Sequence, residues 1–293
     1  MAIRRSLGER AFEVVNTIFL ILLMLSTFYP FLYVLFASIS DPVELISHQG
    51  ALLVPQGFSL EGYRLVFKDP MIFTGYMNTL IYVVAGTALN IFMTALGAYV
   101  LSRKGPYWKN AIMFFVVFTM FFSGGMIPRY LLVKNLGMAN TRWALIIPSA
   151  IATWNLIVMR TSFQSIPDSL EESAKIDGAS DFTVLVKIVV PLSIPVISVI
   201  TLFYAVGHWN AWFDAMIFLR KRELYPLQLI LREILIMSNT EDLMTNVENL
   251  DMMPLDVVIR YATVIVATVP ILLVYPFLQK YFVKGIMIGA IKG

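Results

Sequence analysis

No cysteine occurs in the 293 residues, which excludes disulfide scaffolds, thiol nucleophiles and cysteine-ligated metals together. Histidine is nearly as scarce. His48 and His208 stand far apart with no ligand spacing around either, so no metal site is assigned. No serine lies in a nucleophile-elbow context, and no G-x-x-x-x-G-K-[ST] run is present, so the chain lacks the loop that would cradle nucleotide phosphates. No catalytic residue is assigned and no enzyme activity is expected. Charge is sparse as well: 14% charged residues against 58% apolar ones, with a mean hydropathy of +0.76, is more apolar than a soluble core of this length requires. That balance places the chain in a bilayer. The net charge of +3 then reads as basic residues sorted to cytoplasmic loops rather than as a nucleic-acid surface.

A hydrocarbon core roughly 30 Å thick takes about 20 apolar helical residues to cross, and about six runs reach that length. They lie near 12–39, 72–101, 110–127, 143–163, 191–219 and 257–278. The first follows Arg4, Arg5 and Arg10, is too long for a signal-peptide core, and has no small-residue cleavage site behind it, so it is expected to remain as an anchor. The expected fold class is all-α, a polytopic membrane protein with about six transmembrane helices. An even number of spans puts both termini on one side. Arg4, Arg5 and Arg10, with Lys280, Lys284, Lys292 and the loop RKGPYWK at 103–109, place that side in the cytoplasm. Arg129, Lys134 and Arg142, in an outer loop, run against the bias.

With that topology the segment EESAKIDGASDFTVLVKIVVPLSIP at 171–195 faces the cytoplasm between the fourth and fifth spans. Pro167 and Asp168 suit a helix start, Glu171 and Glu172 suit its early turns, and Asp177-Gly178 is a turn signal. Phe182, Leu185, Val186 and Val189 then recur at helical spacing and predict one apolar face. A two-helix element of this kind is either a linker or a docking surface; composition alone leaves both open.

The spacing resembles the EAA loop of the membrane subunits of ATP-binding-cassette importers: Glu-Ala-Ala, three residues, Gly, nine residues, Ile, one residue, Leu-Pro. Here it reads Glu172-Ser173-Ala174, Gly178, Ile188 and Val190-Pro191, with Ser173 for an alanine and Val190 for a leucine. KIDGAS at 175–180, PLSIP at 191–195, GAYVLSRKGPYWKN, WNAWFDAMIFL, YPLQLILREIL and QKYFVKGIMIGAIKG look like the carbohydrate-uptake branch. The resemblance implies a type I importer permease bundle in a bacterial or archaeal plasma membrane. It would be one of two permease subunits, working with a cytoplasmic ATPase dimer and an extracytoplasmic solute-binding protein. The chain itself would carry no cofactor, ATP and magnesium being held by the ATPase. Glu171, Glu172, Ser173, Ala174, Asp177, Gly178, Ile188 and Pro191 would then form the coupling site, with Glu172 and its neighbourhood making the salt-bridging contact. The implied organisation is an anchor helix at 1–40, an extracytoplasmic loop at 41–71, the transmembrane domain at 72–280, and a tail at 281–293 reaching between the ATPase subunits. The domain would include the coupling loop at 165–190 and a second outer loop at 220–256.

Polar and aromatic groups inside spans are costly in lipid and face a cavity or another helix. His208, Trp209, Asn210, Trp212 and Asp214 cluster in the fifth span, and flat rings beside amide and carboxylate groups suit a sugar; an interfacial aromatic belt is the competing account. Trp154 and Asn155, and Asn78, Tyr82 and Asn90 in the second span, are weaker pathway candidates, expected to hydrogen-bond between helices. Gly86 with Asn90, and Thr94 with Ala98, are expected to admit a close neighbour. The region 40–70 reads as a polar cap, 220–256 as a loop with an amphipathic middle, and the glycines of 285–293 as loosened chain. The alternative class is a gradient-driven carrier or channel subunit, which would show ionisable residues deep in several spans and inverted repeats; neither is evident here.

Overall fold

A computed structural model describes the backbone of residues 7–244 and 253–290, and side chains over residues 8–236 and 255–273. No strand occurs among the described residues. The chain divides into two compact units, Met1–Asp69 with Glu233–Thr268, and Pro70–Arg232 with Val269–Gly293.

The first unit is built on α1 (Leu7–Ser38), apolar on every face and exposed over most of its length, the surface of a helix whose solvent is lipid. The following stretch is more ordered than a polar cap. Asp41 caps α2 (Pro42–Ser47) by accepting hydrogen bonds from the amides of Val43 and Glu44, at 2.9 and 3.3 Å. Then α3 (Glu61–Lys68) brings Gly62 against Val258 of α15 (Met253–Ala290), where a Cβ would fall 2.7 Å from Val258 Cγ1. Ala37, Leu45, Leu52 and Val258 form the small core. The helix α15 continues through Ala290, across residues 285–290 where the glycines suggest loosened chain; a helical ladder tolerates a glycine for about 1 kcal/mol. Side chains of 274–293, and with them the contacts of the tail, lie outside the described residues.

In the second unit, α4 (Pro70–Ser102) is a 33-residue pole, about 50 Å long at 1.5 Å per residue. Its middle and C-terminal half share a core with α8 (Thr153–Gln164) and α12 (Ile194–Trp209), through Ala95, Ala98 and Tyr99, Leu156 and Met159, Ile200 and Tyr204. Its N-terminal half holds the segment leading into α14 (Leu227–Met244). Asn78 Nδ2 donates to the carbonyls of Glu223 and Tyr225 at 2.7 and 3.1 Å, Tyr82 donates to the Leu224 carbonyl at 2.7 Å, and Thr79 Oγ1 accepts from the Leu227 amide at 2.9 Å. Asn78 and Tyr82 are thus fasteners between elements.

Three of the six apolar runs are not straight helices. The third ends as α5 (Lys109–Phe121), turns at Phe122–Gly125 with Gly125 at φ 84°, and re-forms as α6 (Met126–Asn135) at 117° to it. The fourth is α7 (Trp143–Ile146), a 3-10 turn at Ile147–Ser149 and α8, bent by 49°; Pro148 supplies no amide hydrogen there. The fifth begins only at Ile194, stops at Trp209, and gives way after Asn210 to the short α13 (Phe213–Phe218). The apolar runs at 110–127, 143–163 and 191–219 are thus each interrupted by a break. Hydropathy sums apolar content; a break needs only that the freed backbone groups find partners.

Candidate functional site

Residues 165–190 form a helix, a turn and a second helix. α9 (Asp168–Ile176) carries Asp168 and Glu171 in its first turn, where acidic groups complement the helix dipole. Gly178 sits at φ 81° with open space around its missing Cβ, so a Gly178→Ala variant is expected to lose about 1–2 kcal/mol from backbone strain alone, measurable as a lower unfolding temperature of the purified protein. Ser180 then caps α10 (Asp181–Val184) by accepting from the Thr183 amide at 3.3 Å. Ahead of Pro191, which cannot donate, the ladder widens into a π turn at Leu185–Val189 before α11 (Val190–Leu192). The expected common apolar face is split between the core and the surface. Val184, Leu185 and Val189 are buried in the core of α4, α8 and α12, while Phe182 and Val186 are exposed. The segment is therefore keyed into the bundle rather than hung between two spans.

An ion-pair network ties α9 to the end of α4. Glu171, 8% exposed, accepts from Arg103 Nη1, and its Oε1 lies 3.0 Å from Lys175 Nζ and 3.3 Å from the Tyr99 hydroxyl. The Arg103 guanidinium lies 4.8 Å from the centre of the Tyr99 ring. Its Nε and Nη2 are buried and find no hydrogen-bond partner among the described residues. Lys175 also reaches Asp181 at 3.1 Å, bridging both sides of the turn; the hydrogen bonds it donates to Glu171 and then to Asp181 raise its ammonium above the ordinary range. The outlying pair Lys104–Asp168, at 2.6 Å, raises the lysine and lowers the carboxyl, chiefly through their hydrogen bond. A lowered carboxyl stabilises at neutral pH and loses its effect as pH falls through the lowered value; being fully solvated, this pair contributes little. The Glu171 carboxylate is thus engaged inside the chain, by Arg103, Lys175 and Tyr99. Glu172, one residue and about 100° further round the helix, is exposed, as are Ser173, Asp177, Gly178 and Pro191, while Ala174 and Ile188 are half-buried.

A second cluster forms where the fourth run is broken. Asn90 Nδ2 donates to the Ser149 carbonyl, and the Tyr204 hydroxyl accepts from the Ala152 amide at 3.0 Å, so the groups freed by the bend are met by side chains of α4 and α12. Tyr204 also bonds Thr94 Oγ1 at 2.8 Å, and His208 Nε2 lies 2.7 Å from Asn90 Oδ1. The His208 ring occupies the space beside Gly86: a Cβ there would fall 2.5 Å from His208 Cε1.

Around this cluster the pathway residues separate. Asn155, His208 and Asp214 share the wall of a cavity of about 300 Å³ with Ser149 and Tyr204. Trp209 packs edge-on against Tyr76, Trp212 lies under the Arg232 guanidinium at 4.1 Å, Trp154 is exposed, and Asn210 ends α12. A larger cavity of about 910 Å³ opens at the break between α5 and α6, and Asp214 lines it too. There Asp214 accepts two hydrogen bonds from Arg129, at 3.0 and 2.8 Å.

Residues 93–288 match the model of the family described as binding-protein-dependent transport system inner membrane component. The chain is 43% identical to the polygalacturonan/rhamnogalacturonan transport system permease protein YtcP of Bacillus subtilis over 97% of its own length and 99% of that protein's. The chain belongs to this family. The transport component is also 24% identical to the arabinooligosaccharides transport system permease protein AraQ of Bacillus subtilis, over 99% and 100% of the two chains. Its fold matches a solved bacterial ABC transporter involved in the import of the acidic polysaccharide alginate, with a TM-score of 0.86 and 33% identity over 95% of this chain and 99% of that one. It is an all-helical permease of a binding-protein-dependent transport system, an inner membrane component.

Two groups of this permease escape a reading of sequence alone. Arg103 and Tyr204 look like an ordinary juxtamembrane cation and an ordinary apolar-run tyrosine; only their neighbours give them roles. Arg129 is legible as an exception, a cation running against the charge bias of its loop.

Proposed function

We propose that the protein is one of two permease subunits of an ATP-driven importer that carries an oligosaccharide through the plasma membrane by alternating access. Both termini and residues 165–190 face the cytoplasm, where α9 and α10 seat in a cytoplasmic ATPase that holds ATP and magnesium, and a solute-binding protein delivers the sugar from outside. The observation that carries the reading is the build of that segment. Its inner face is locked into α4, α8 and α12, while Ile176, at 86% exposure, and Phe182, at 60%, stand open on either side of the Gly178 turn, with the exposed carboxylate of Glu172 on the same element. A surface that is apolar at its tip, acidic at its flank and rigidly joined to the bundle suits transmission of force from a docked partner. The carbohydrate part is supported by the relatives, named for polygalacturonan, arabinooligosaccharides and alginate.

Reversing the exposed charge tests the docking. In vesicles holding the whole complex, Glu172→Lys is expected to leave insertion intact and to lower ATP-driven sugar uptake at least about tenfold, the equivalent of about 1.4 kcal/mol at the interface. Accumulation at the parent rate would remove Glu172 from the contact.

A further inference from the structure

The smaller cavity of the second unit is walled by α7, the bend that follows it, α8, α12 and the start of α13. Two of its wall residues are polar and more than nine-tenths buried, Asn155 at 6% exposure and His208 at 7%. The Asn155 amide makes no hydrogen bond to another described residue, although it offers two N–H donors and a carbonyl acceptor. Its polar atoms are not sealed in protein as those of Arg103 are; what they meet is the cavity. The state of His208 follows from its neighbours. The Ser149 carbonyl can only accept, so it faces Asn90 Nδ2, which turns Asn90 Oδ1 to His208 Nε2 and makes that nitrogen the donor. In the neutral ring Nδ1 is then a bare acceptor. The other polar groups of the wall are committed: the Tyr204 hydroxyl to Thr94 and Ala152, the Ser149 hydroxyl to the Leu145 and Ile146 carbonyls, and Asp214 to Arg129. No lysine or arginine lines this cavity among the described residues.

A buried amide without a partner costs more than a made hydrogen bond returns, and a leucine of nearly the same shape would be the more stable choice at position 155. Asn155 is therefore accounted for by something that enters the cavity and both donates and accepts. We propose that the cavity is a subsite for one sugar ring of the cargo, whose hydroxyl groups displace water from the Asn155 amide and from His208 Nδ1. This rests on the oligosaccharide reading above, and adds to it that this subunit holds the cargo itself and does so through hydroxyl groups rather than charge. A hydroxyl is donor and acceptor at once, which suits an amide that needs both and a ring nitrogen that accepts. A carboxylate is disfavoured, because Asp214 stands on the same wall without a cation beside it there. The volume of about 300 Å³ is that of about ten waters at ~30 Å³ each and lies at the low end of ligand clefts, room for a ring and not for a chain. Phe203, 47% exposed on the same wall, adds a flat apolar surface for the C–H face of the ring.

Asn155 is the residue to test, because no protein group loses a partner with it, whereas removal of His208 strands Asn90 Oδ1. ATP-driven uptake of arabinotriose and of trigalacturonate is measured in vesicles holding the complete complex, with sugar-loaded binding protein at saturation, for the parent, Asn155→Leu and Asn155→Ala. For Asn155→Leu two opposite signs are expected. Uptake of each sugar that the parent carries falls at least about tenfold, while the unfolding midpoint of the purified variant stays at or above the parent's, since an apolar side chain of similar size replaces an unpaired polar one. Asn155→Ala removes the amide without filling the cavity and is expected to lose uptake to the same degree, which separates lost hydrogen bonds from blocked space. Parent-level uptake in either variant would leave the cavity to water alone and overturn the subsite. A midpoint for Asn155→Leu below the parent's would make the amide a structural support and overturn it equally. A parent complex that carries neither sugar in an ATP-dependent way would overturn the oligosaccharide reading as well.

Discussion

Replacement of Glu171 by alanine is expected to destabilise the permease by about 3–5 kcal/mol, the usual cost of stranding one member of a buried ion pair. The Nη1 of Arg103 is held by Glu171, and its Nε and Nη2 are already buried without a hydrogen bond among the described residues, so truncation leaves the guanidinium beneath α9 without its hydrogen-bonded carboxylate, beside the Tyr99 ring and with Asp168 acting only through its field. Denaturation of the purified variant in detergent measures the effect, and an unfolding midpoint equal to the parent's would show that the pair carries no such weight. The double variant Arg103→Met with Glu171→Met is expected to recover most of the loss, because two apolar side chains of similar volume remove the desolvation cost together with the attraction. Adjacent carboxylates thus give opposite signatures. Loss of Glu171 lowers stability, whereas reversal of Glu172 leaves stability in place and lowers uptake.

The second large effect is expected at Gly86. An added methyl group there meets the His208 ring, and the ring cannot simply retreat, because its Nε2 is bonded to Asn90, whose amide is committed in turn to the Ser149 carbonyl. Gly86→Ala therefore overpacks the contact, at about 1–3 kcal/mol, and strains a buried hydrogen bond whose loss costs a further ~1–3 kcal/mol. Thermal unfolding checks the sum. His208→Ala in the same background is expected to relieve the clash, making the double variant more stable than Gly86→Ala alone. If the double variant is instead less stable by the full cost of His208→Ala, the ring is not what opposes the methyl group.

Much of this architecture is legible from residue order. The apolar runs, the helix start at Pro167 and Asp168, the turn at Gly178 and the missing phosphate cradle are local properties, and local chemistry decides them: chain length against bilayer thickness, a positive φ that suits glycine, a spacing that is present or absent. The roles of Asn78, Tyr82 and Asn90 were foreseeable in kind, since a polar group in lipid must find another polar group. Their partners were not, because Glu223, Tyr225, Leu224 and Ser149 are brought near by the course of the chain and offer only backbone carbonyls, which every residue has.

The remaining features belong to tertiary structure. Helical periodicity places Phe182, Leu185, Val186 and Val189 on one stripe, yet Leu185 and Val189 are buried against the bundle while Phe182 and Val186 are exposed. Composition puts Glu171 and Glu172 on equal terms; Arg103, 68 positions upstream of Glu171, makes one internal and leaves the other exposed. Hydropathy joins residues 191–219 into a span, while the chain breaks after Trp209 and turns Asp214 toward Arg129. Sequence by itself determined that this is a membrane bundle with a two-helix polar segment and without a G-x-x-x-x-G-K-[ST] loop. The fold alone decided which charges pair and where helices break, because those outcomes depend on whether a distant residue arrives to satisfy a buried group, and no local pattern records that.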